Sequence, residues 1–237
     1  MLKPMTVTAR LAAGIAHPGL GLSLDGILAS RLLRHAPPPE GPDADDGLPA
    51  DLDLPLGRCP GGGGALWHWA ATWAWPDPAP GPPEAHRWTK TAGHRHMGAV
   101  CGRLPRVVPA RQGRHKRYLM PLIVVPASRL VWAAVGDPAA VENLLAGITN
   151  IGKRRHSGEG QVIGWDVQPT PALDPWAAAH LSPDGRLSRP CPPECLAGRP
   201  GVATGGEGAA GLRPPHMAPA RQTWCALPAA WPEQATA

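Results

Sequence analysis

The residues best suited to chemistry lie in one stretch, Gly147-Ile148-Thr149-Asn150-Ile151-Gly152-Lys153-Arg154-Arg155-His156-Ser157-Gly158-Glu159-Gly160-Gln161-Val162-Ile163-Gly164-Trp165, where three consecutive cations stand between glycines. Glycine lets a backbone come close to a bound group, and exposed amides with adjacent cations hold anions. Gly147, Gly152 and Lys153 match the first part of a phosphate-binding P-loop, but Arg154 stands where a magnesium-holding hydroxyl is required. The expected order is also helix, loop, strand, so the loop would leave a helix C-terminus, whose partial charge repels phosphate. Anion binding here falls to Lys153, Arg154 and Arg155 with the backbone of Gly152, His156, Ser157, Gly158 and Gly160. The plainer alternative is a solvated basic turn.

A second concentration of charge runs from Glu84 to Tyr118, with Arg87, Lys90, Arg95, Arg103, Arg106, Arg111, Arg114, Lys116 and Arg117 against one acid, Glu84. Four histidines, among them His96 and His115, share it. Clustered cations without a basic amphipathic helix point to nucleic acid before membrane. Arg111, Arg114, His115, Lys116 and Arg117 join the glycine loop as expected RNA contacts; Arg87, Lys90, Arg95, His96, Arg103 and Arg106 are expected contacts along an excursion. His115-Lys116-Arg117-Tyr118 and His156 also admit metal-independent RNA cleavage, since imidazole can act as acid or base beside a cation that stabilises a phosphorane. In a chain with 10 histidines such neighbours arise by chance, and a non-catalytic role is favoured. Cys191-x-x-x-Cys195, Cys225 and His216 could supply four zinc ligands, but only one close pair exists, and no metal or other cofactor is expected. Five scattered cysteines read as reduced, and no apolar run reaches the roughly 18 residues of a spanning helix, so a cytoplasmic protein with no membrane partner is expected.

The elements that must position these residues can be read in order. The chain has 237 residues with 32 Pro and 29 Gly, so one compact domain with long loops is expected. With 10 Trp and no Phe, indoles must supply most of the aromatic packing. Met5 to Ala12 alternates as a strand; Ser23 or Asp25 can cap a helix with Leu24, Ile27, Leu28, Leu32 and Leu33 on its apolar stripe. Residues 36–56 form an acidic insertion expected to be flexible. Leu66 to Trp75 reads as one strand carrying Trp67, Trp69, Trp73 and Trp75 on a core face. A basic hairpin, or thumb, over 84–117 returns through a strand from Tyr118 to Val125. Another strand covers Leu130 to Val135. Asp137-Pro138 starts a helix with Val141, Leu144, Leu145 and Ile148 as its stripe, and a last strand covers Gln161 to Val167. The order β, α, β, β, α, β is that of an α+β, ferredoxin-like domain over residues 1–168. An irregular extension over 169–237 completes the chain, with Val202 to Gly211 expected to be disordered.

The chain resembles the Cas-five-type subunits of type IV CRISPR effector complexes, members of the RAMP superfamily of ferredoxin-like RNA binders. The resemblance rests on Val7-Thr8-Ala9-Arg10-Leu11 before Leu24-Asp25-Gly26-Ile27-Leu28-Ala29, on Leu54-Pro55-Leu56-Gly57 before Trp67-His68-Trp69-Ala70, and on Val131-Trp132-Ala133-Ala134-Val135-Gly136-Asp137. It continues in Ile151-Gly152-Lys153-Arg154-Arg155 with Gly158-Glu159-Gly160-Gln161-Val162, and in Asp184-Gly185-Arg186-Leu187 with Arg189-Pro190. Glu159 and His216 depart from the usual aromatic or aliphatic residue and tyrosine. The resemblance implies a subunit that grips the 5′ handle of the guide crRNA, closes one end of a backbone of repeated subunits, and sits beside a large subunit near the protospacer-adjacent motif of target DNA. A metal-independent endoribonuclease acting on precursor RNA and a stand-alone RNA-binding module are the alternatives.

Overall fold

The computed structural model describes residues 2–16, 21–33, 51–62, 66–90, 111, 117–155 and 158–231. Its central sheet is built from β1 (Lys3–Leu11), β4 (Trp75–Pro76), β7 (Arg129–Gly136) and β8 (Val162–Pro169) in the order β4-β7-β1-β8, and every neighbouring pair is antiparallel. Alternation in β1 puts Met5, Val7 and Ala9 on one face. The register then sets Val7 opposite both Trp132 and Val167, and Ala9 opposite Leu130 and Trp165. Met5, Val7, Ala9, Leu130 and Trp132 are fully buried there. The fold is thus mixed α and β around an antiparallel sheet, as expected at that level.

Helix α1 (Leu24–Leu33) begins where Ser23 Oγ accepts the Gly26 N–H at 3.1 Å, which makes Ser23 the cap. Helix α2 (Pro138–Leu145) begins at Asp137, whose carboxylate accepts the Ala140 N–H at 3.2 Å, with Pro138 in the first turn where its missing N–H costs nothing. Val141 and Leu145 of its stripe are fully buried, and Leu144 and Ile148 pack half-buried against the same core.

Two expected elements differ. The tryptophan-rich stretch is two strands: β3 (Leu66–Trp69) pairs with β2 (Arg58–Gly62), and the chain turns out of that ladder before β4 joins β7. The break has a physical cause. The Ala71 N–H turns back to the Trp69 carbonyl at 2.8 Å, and the fully buried guanidinium of Arg189 donates to the carbonyls of Trp69 and Ala71 as well as to that of Leu212, which satisfies these groups where the β2–β3 ladder ends. Trp69, Trp73 and Trp75 are buried, whereas Trp67 is half-buried with Arg58 and Arg213 over its ring at 4.6 and 4.4 Å. The stretch expected to be disordered contains β9 (Glu207–Gly211), paired antiparallel with β10 (Gln222–Ala226). Backbone pairing needs no large side chains, which is why so glycine- and alanine-rich a strand carries little sequence signal.

The extension docks on the domain through side chains. His216 lies 3.3 Å from the buried Asp25 carboxylate and edge-on to Trp73; Arg213 and Arg221 reach Asp51 at 3.5 and 2.8 Å. Burial alone would raise the Asp25 carboxyl, but the imidazole of His216, by charge and hydrogen bond, and the charge of Arg189 hold it below the usual carboxylate range. Of the acidic insertion, residues 36–50 lie outside the described part, while Leu54 and Leu56 at its end are buried.

Candidate nucleic-acid interface

The glycine loop leaves α2 and returns to β8 through a narrow neck. Asn150 and Gln161 form a bridge, the Ile151 N–H donates to the Gly160 carbonyl at 3.0 Å, and the Val162 N–H to Thr149 at 2.8 Å. Gly160 must be glycine: it has φ +63°, and a Cβ there would lie 2.0 Å from the Ile151 carbonyl oxygen. Gly152, at φ +82°, faces the carbonyl of Ala16, which also accepts the Lys153 N–H at 2.6 Å. The loop is therefore clamped to the segment that follows β1.

That segment also holds the thumb. Ile15 exchanges backbone hydrogen bonds with Val125, both at 2.9 Å, at the end of β6 (Tyr118–Val124). Strand β6 pairs with β5 (Glu84–Lys90) in continuous antiparallel register, from Glu84 opposite Val124 to Lys90 opposite Tyr118. The base of the expected hairpin is thus present, as a separate two-stranded sheet. Residues 91–110 and 112–116 lie outside the described part, and with them Arg95, His96, Arg103, Arg106, Arg114, His115 and Lys116; so do His156 and Ser157 of the glycine loop, and the side chain of Lys90.

The loop and the hairpin base meet. Arg154 stands with its guanidinium 3.4 Å from the centre of the Trp88 ring, and Glu159 lies 3.5 Å from His86, which is also 3.5 Å from Glu84. Arg154 has φ 58°, in the left-handed region that a side chain normally avoids. Such strain costs about 1–3 kcal/mol and collects at functional sites; a cation over the half-buried indole of Trp88 returns about 0.5–1 kcal/mol or more of it. An open cleft of ≈ 420 Å³ is lined by Trp88, Tyr118, Met120 and Arg154. Tyr118 and Met120 are 42% and 43% exposed, leaving flat and polarizable groups available beside a cation. Lys153, Arg155, Arg87, Arg111 and Arg117 are exposed, and Gly158 has φ +93° with nothing near the position of a Cβ.

Chemically, this arrangement can stack a base or sugar on Trp88 or Tyr118 while cations of the loop meet phosphates. The charge of the loop was readable from sequence. The stacking partner was not singled out, although Trp88 is the lone aromatic between Glu84 and Arg117, and an aromatic among cations is the relevant signal. Of the residues considered for cleavage, Tyr118 lines the cleft, and His115, Lys116 and His156 fall outside the described residues.

Of the zinc ligands considered from sequence, Cys191 and Cys195 are in side-chain contact, but the other two turn elsewhere. His216 turns to Asp25 and the Gly211 carbonyl, the Cys225 thiol to the Gly208 carbonyl, and Cys195 to His68. Among the described residues no helix is long and apolar enough to cross a membrane. Comparison of the chain with models of known protein families and with curated proteins finds no match.

Proposed function

We propose that this chain is a non-catalytic RNA-binding subunit of a type IV CRISPR ribonucleoprotein complex. It grips the 5′ handle of the guide crRNA, caps a backbone of repeated subunits, and lies beside the large subunit near the protospacer-adjacent motif of target DNA. The observation that carries the reading is the contact of Arg154 with Trp88. It joins two cationic segments, far apart in the chain, into one surface with a stacking cleft between them. Single-stranded RNA is bound by that combination of stacking and charge.

A ferredoxin-like, RAMP-type scaffold is supported by the strand order β4-β7-β1-β8, with α1 in the connection from β1 towards β4 and α2 in that from β7 to β8. The β5–β6 hairpin is then an insertion between the second and third strands of the sheet. The test is co-expression with the repeated backbone subunits and a crRNA. The chain is expected to co-purify with both and to protect the handle from nuclease. A chain that stays free of the particle and leaves the handle unprotected contradicts the reading. Precursor RNA incubated with the chain in chelator is expected to stay intact; cleavage there, lost on His115→Ala or His156→Ala substitution, replaces it with an endoribonuclease.

A further inference from the structure

We propose that Cys59, His68, His180 and Cys195 form a structural zinc site that staples the extension over 169–237 to the β2–β3 hairpin. The ligand atoms of these four residues all lie within 4.8 Å of one another. Cys59 Sγ is 3.8 Å from His180 Nε2, and Cys195 Sγ is 3.6 Å from His68 Nε2. Tetrahedral zinc with ordinary Zn–S and Zn–N bonds puts sulfur and nitrogen about 3.6 Å apart, close to both of these sulfur–nitrogen distances.

The supply of ligands follows from the fold. Cys59 and His68 are register partners across β2 and β3, and so point to one side of that hairpin. His180 ends α3 (Pro175–His180), and Cys195 lies in the short 3₁₀ turn Pro193–Leu196. Trp176 joins the latter two. Its indole N–H donates to the Cys195 carbonyl at 3.0 Å, and its ring stacks on His180 with centroids 4.7 Å apart.

The groups behind the ligands distinguish a metal site from a chance cluster. His68 Nδ1 is 2.9 Å from the Trp69 carbonyl and His180 Nδ1 is 2.8 Å from the Trp176 carbonyl, so each Nδ1–H donates outward. That fixes the tautomer and leaves each Nε2 lone pair aimed at the two sulfurs, the arrangement that carbonyl partners impose on metal-bound histidines. Both imidazoles are fully buried and the two thiols half-buried. A set of two sulfurs and two nitrogens favours zinc among common metals, and four protein ligands make the site structural, with no open position for chemistry. On binding, each thiol releases its proton and each imidazole offers its Nε2 lone pair. The two thiolates then cancel the dication, and the loaded site adds no net charge beside the buried guanidinium of Arg189.

The test uses the full chain purified without chelator or added metal. Elemental analysis and native mass spectrometry are expected to give one zinc per chain. Cobalt(II) exchanged into the site should show the intense visible bands of a tetrahedral ion together with a sulfur-to-cobalt charge-transfer band. Cys59→Ser and Cys195→Ser should each weaken zinc binding by more than about 100-fold, whereas Cys225→Ser retains it. Chelation should lower the melting temperature, with recovery on adding zinc but not magnesium. Should the serine variants fail to fold, the cobalt spectrum of the unaltered chain decides alone. A metal-free chain that gives no tetrahedral cobalt spectrum, or one in which Cys59 and Cys195 are joined as a disulfide, overturns the site.

Discussion

Arg154 concentrates the argument at the scale of single residues, because its backbone is strained while its side chain makes the contact that unites the surface. Stability and binding should therefore part company there. Arg154→Gly relieves a positive φ and is expected to leave the denaturation midpoint unchanged or raised, while RNA affinity falls; Arg154→Ala keeps the strain and loses the stacking, so both fall. Equal losses of stability in the two variants would show that the strain is unimportant. The neck offers a second contrast. Gly160→Ala meets both a positive φ and the Ile151 carbonyl, and should cost well over the roughly 1–2 kcal/mol of left-handed backbone alone, whereas Gly158→Ala has open space around it and should cost no more than that. Urea denaturation of the two variants measures the difference. Asp25 gives a pH dependence. Its folded carboxyl titrates below the unfolded value of 3.8, so its stabilisation is complete above that pH and is lost as pH falls through the lower, folded value. Asp25→Asn should destabilise the protein at neutral pH and flatten its acid unfolding; an unchanged acid limb would remove Asp25 from the account.

Elements that depend on neighbouring residues were the legible ones. Asp137-Pro138 specifies a helix start by local chemistry and the helix starts there, and β1 follows from alternation and lies within two residues of the expected Met5 to Ala12 at each end. What failed depends on distant partners. The stretch from Leu66 to Trp75 keeps its alternating tryptophans through a point where the backbone leaves the ladder, because Arg189, far along the chain, captures the carbonyls. The same distance hides the Cys59, His68, His180 and Cys195 cluster, whose members come from separate segments. The tryptophans themselves allow a prediction. Trp75→Ala, at a buried position in β4, should cost about 3–5 kcal/mol, as large-to-small core changes do. Trp67→Ala should cost less, because Trp67 is half-buried beneath Arg58 and Arg213. Loss of RNA affinity without loss of stability in Trp75→Ala would make that indole a stacking platform.

At the scale of the whole molecule, the segment after β1 holds the glycine loop at Ala16 and the hairpin at Ile15, so two cationic segments share one rigid support. Preorganisation of this kind places charge before a ligand arrives, and lowers the entropy lost on binding. The central claim is that the loop cations neutralise RNA phosphates on this surface. It is tested most directly by measuring the affinity of handle RNA against salt concentration for the unaltered chain and for a variant with Lys153, Arg154 and Arg155 all replaced by alanine. Each lost phosphate contact lowers the slope of log affinity against log salt by about 0.7 for a single strand. The account predicts weaker binding and a slope reduced by about 2 in a variant that folds normally. A normally folded variant that keeps both the affinity and the slope would contradict it.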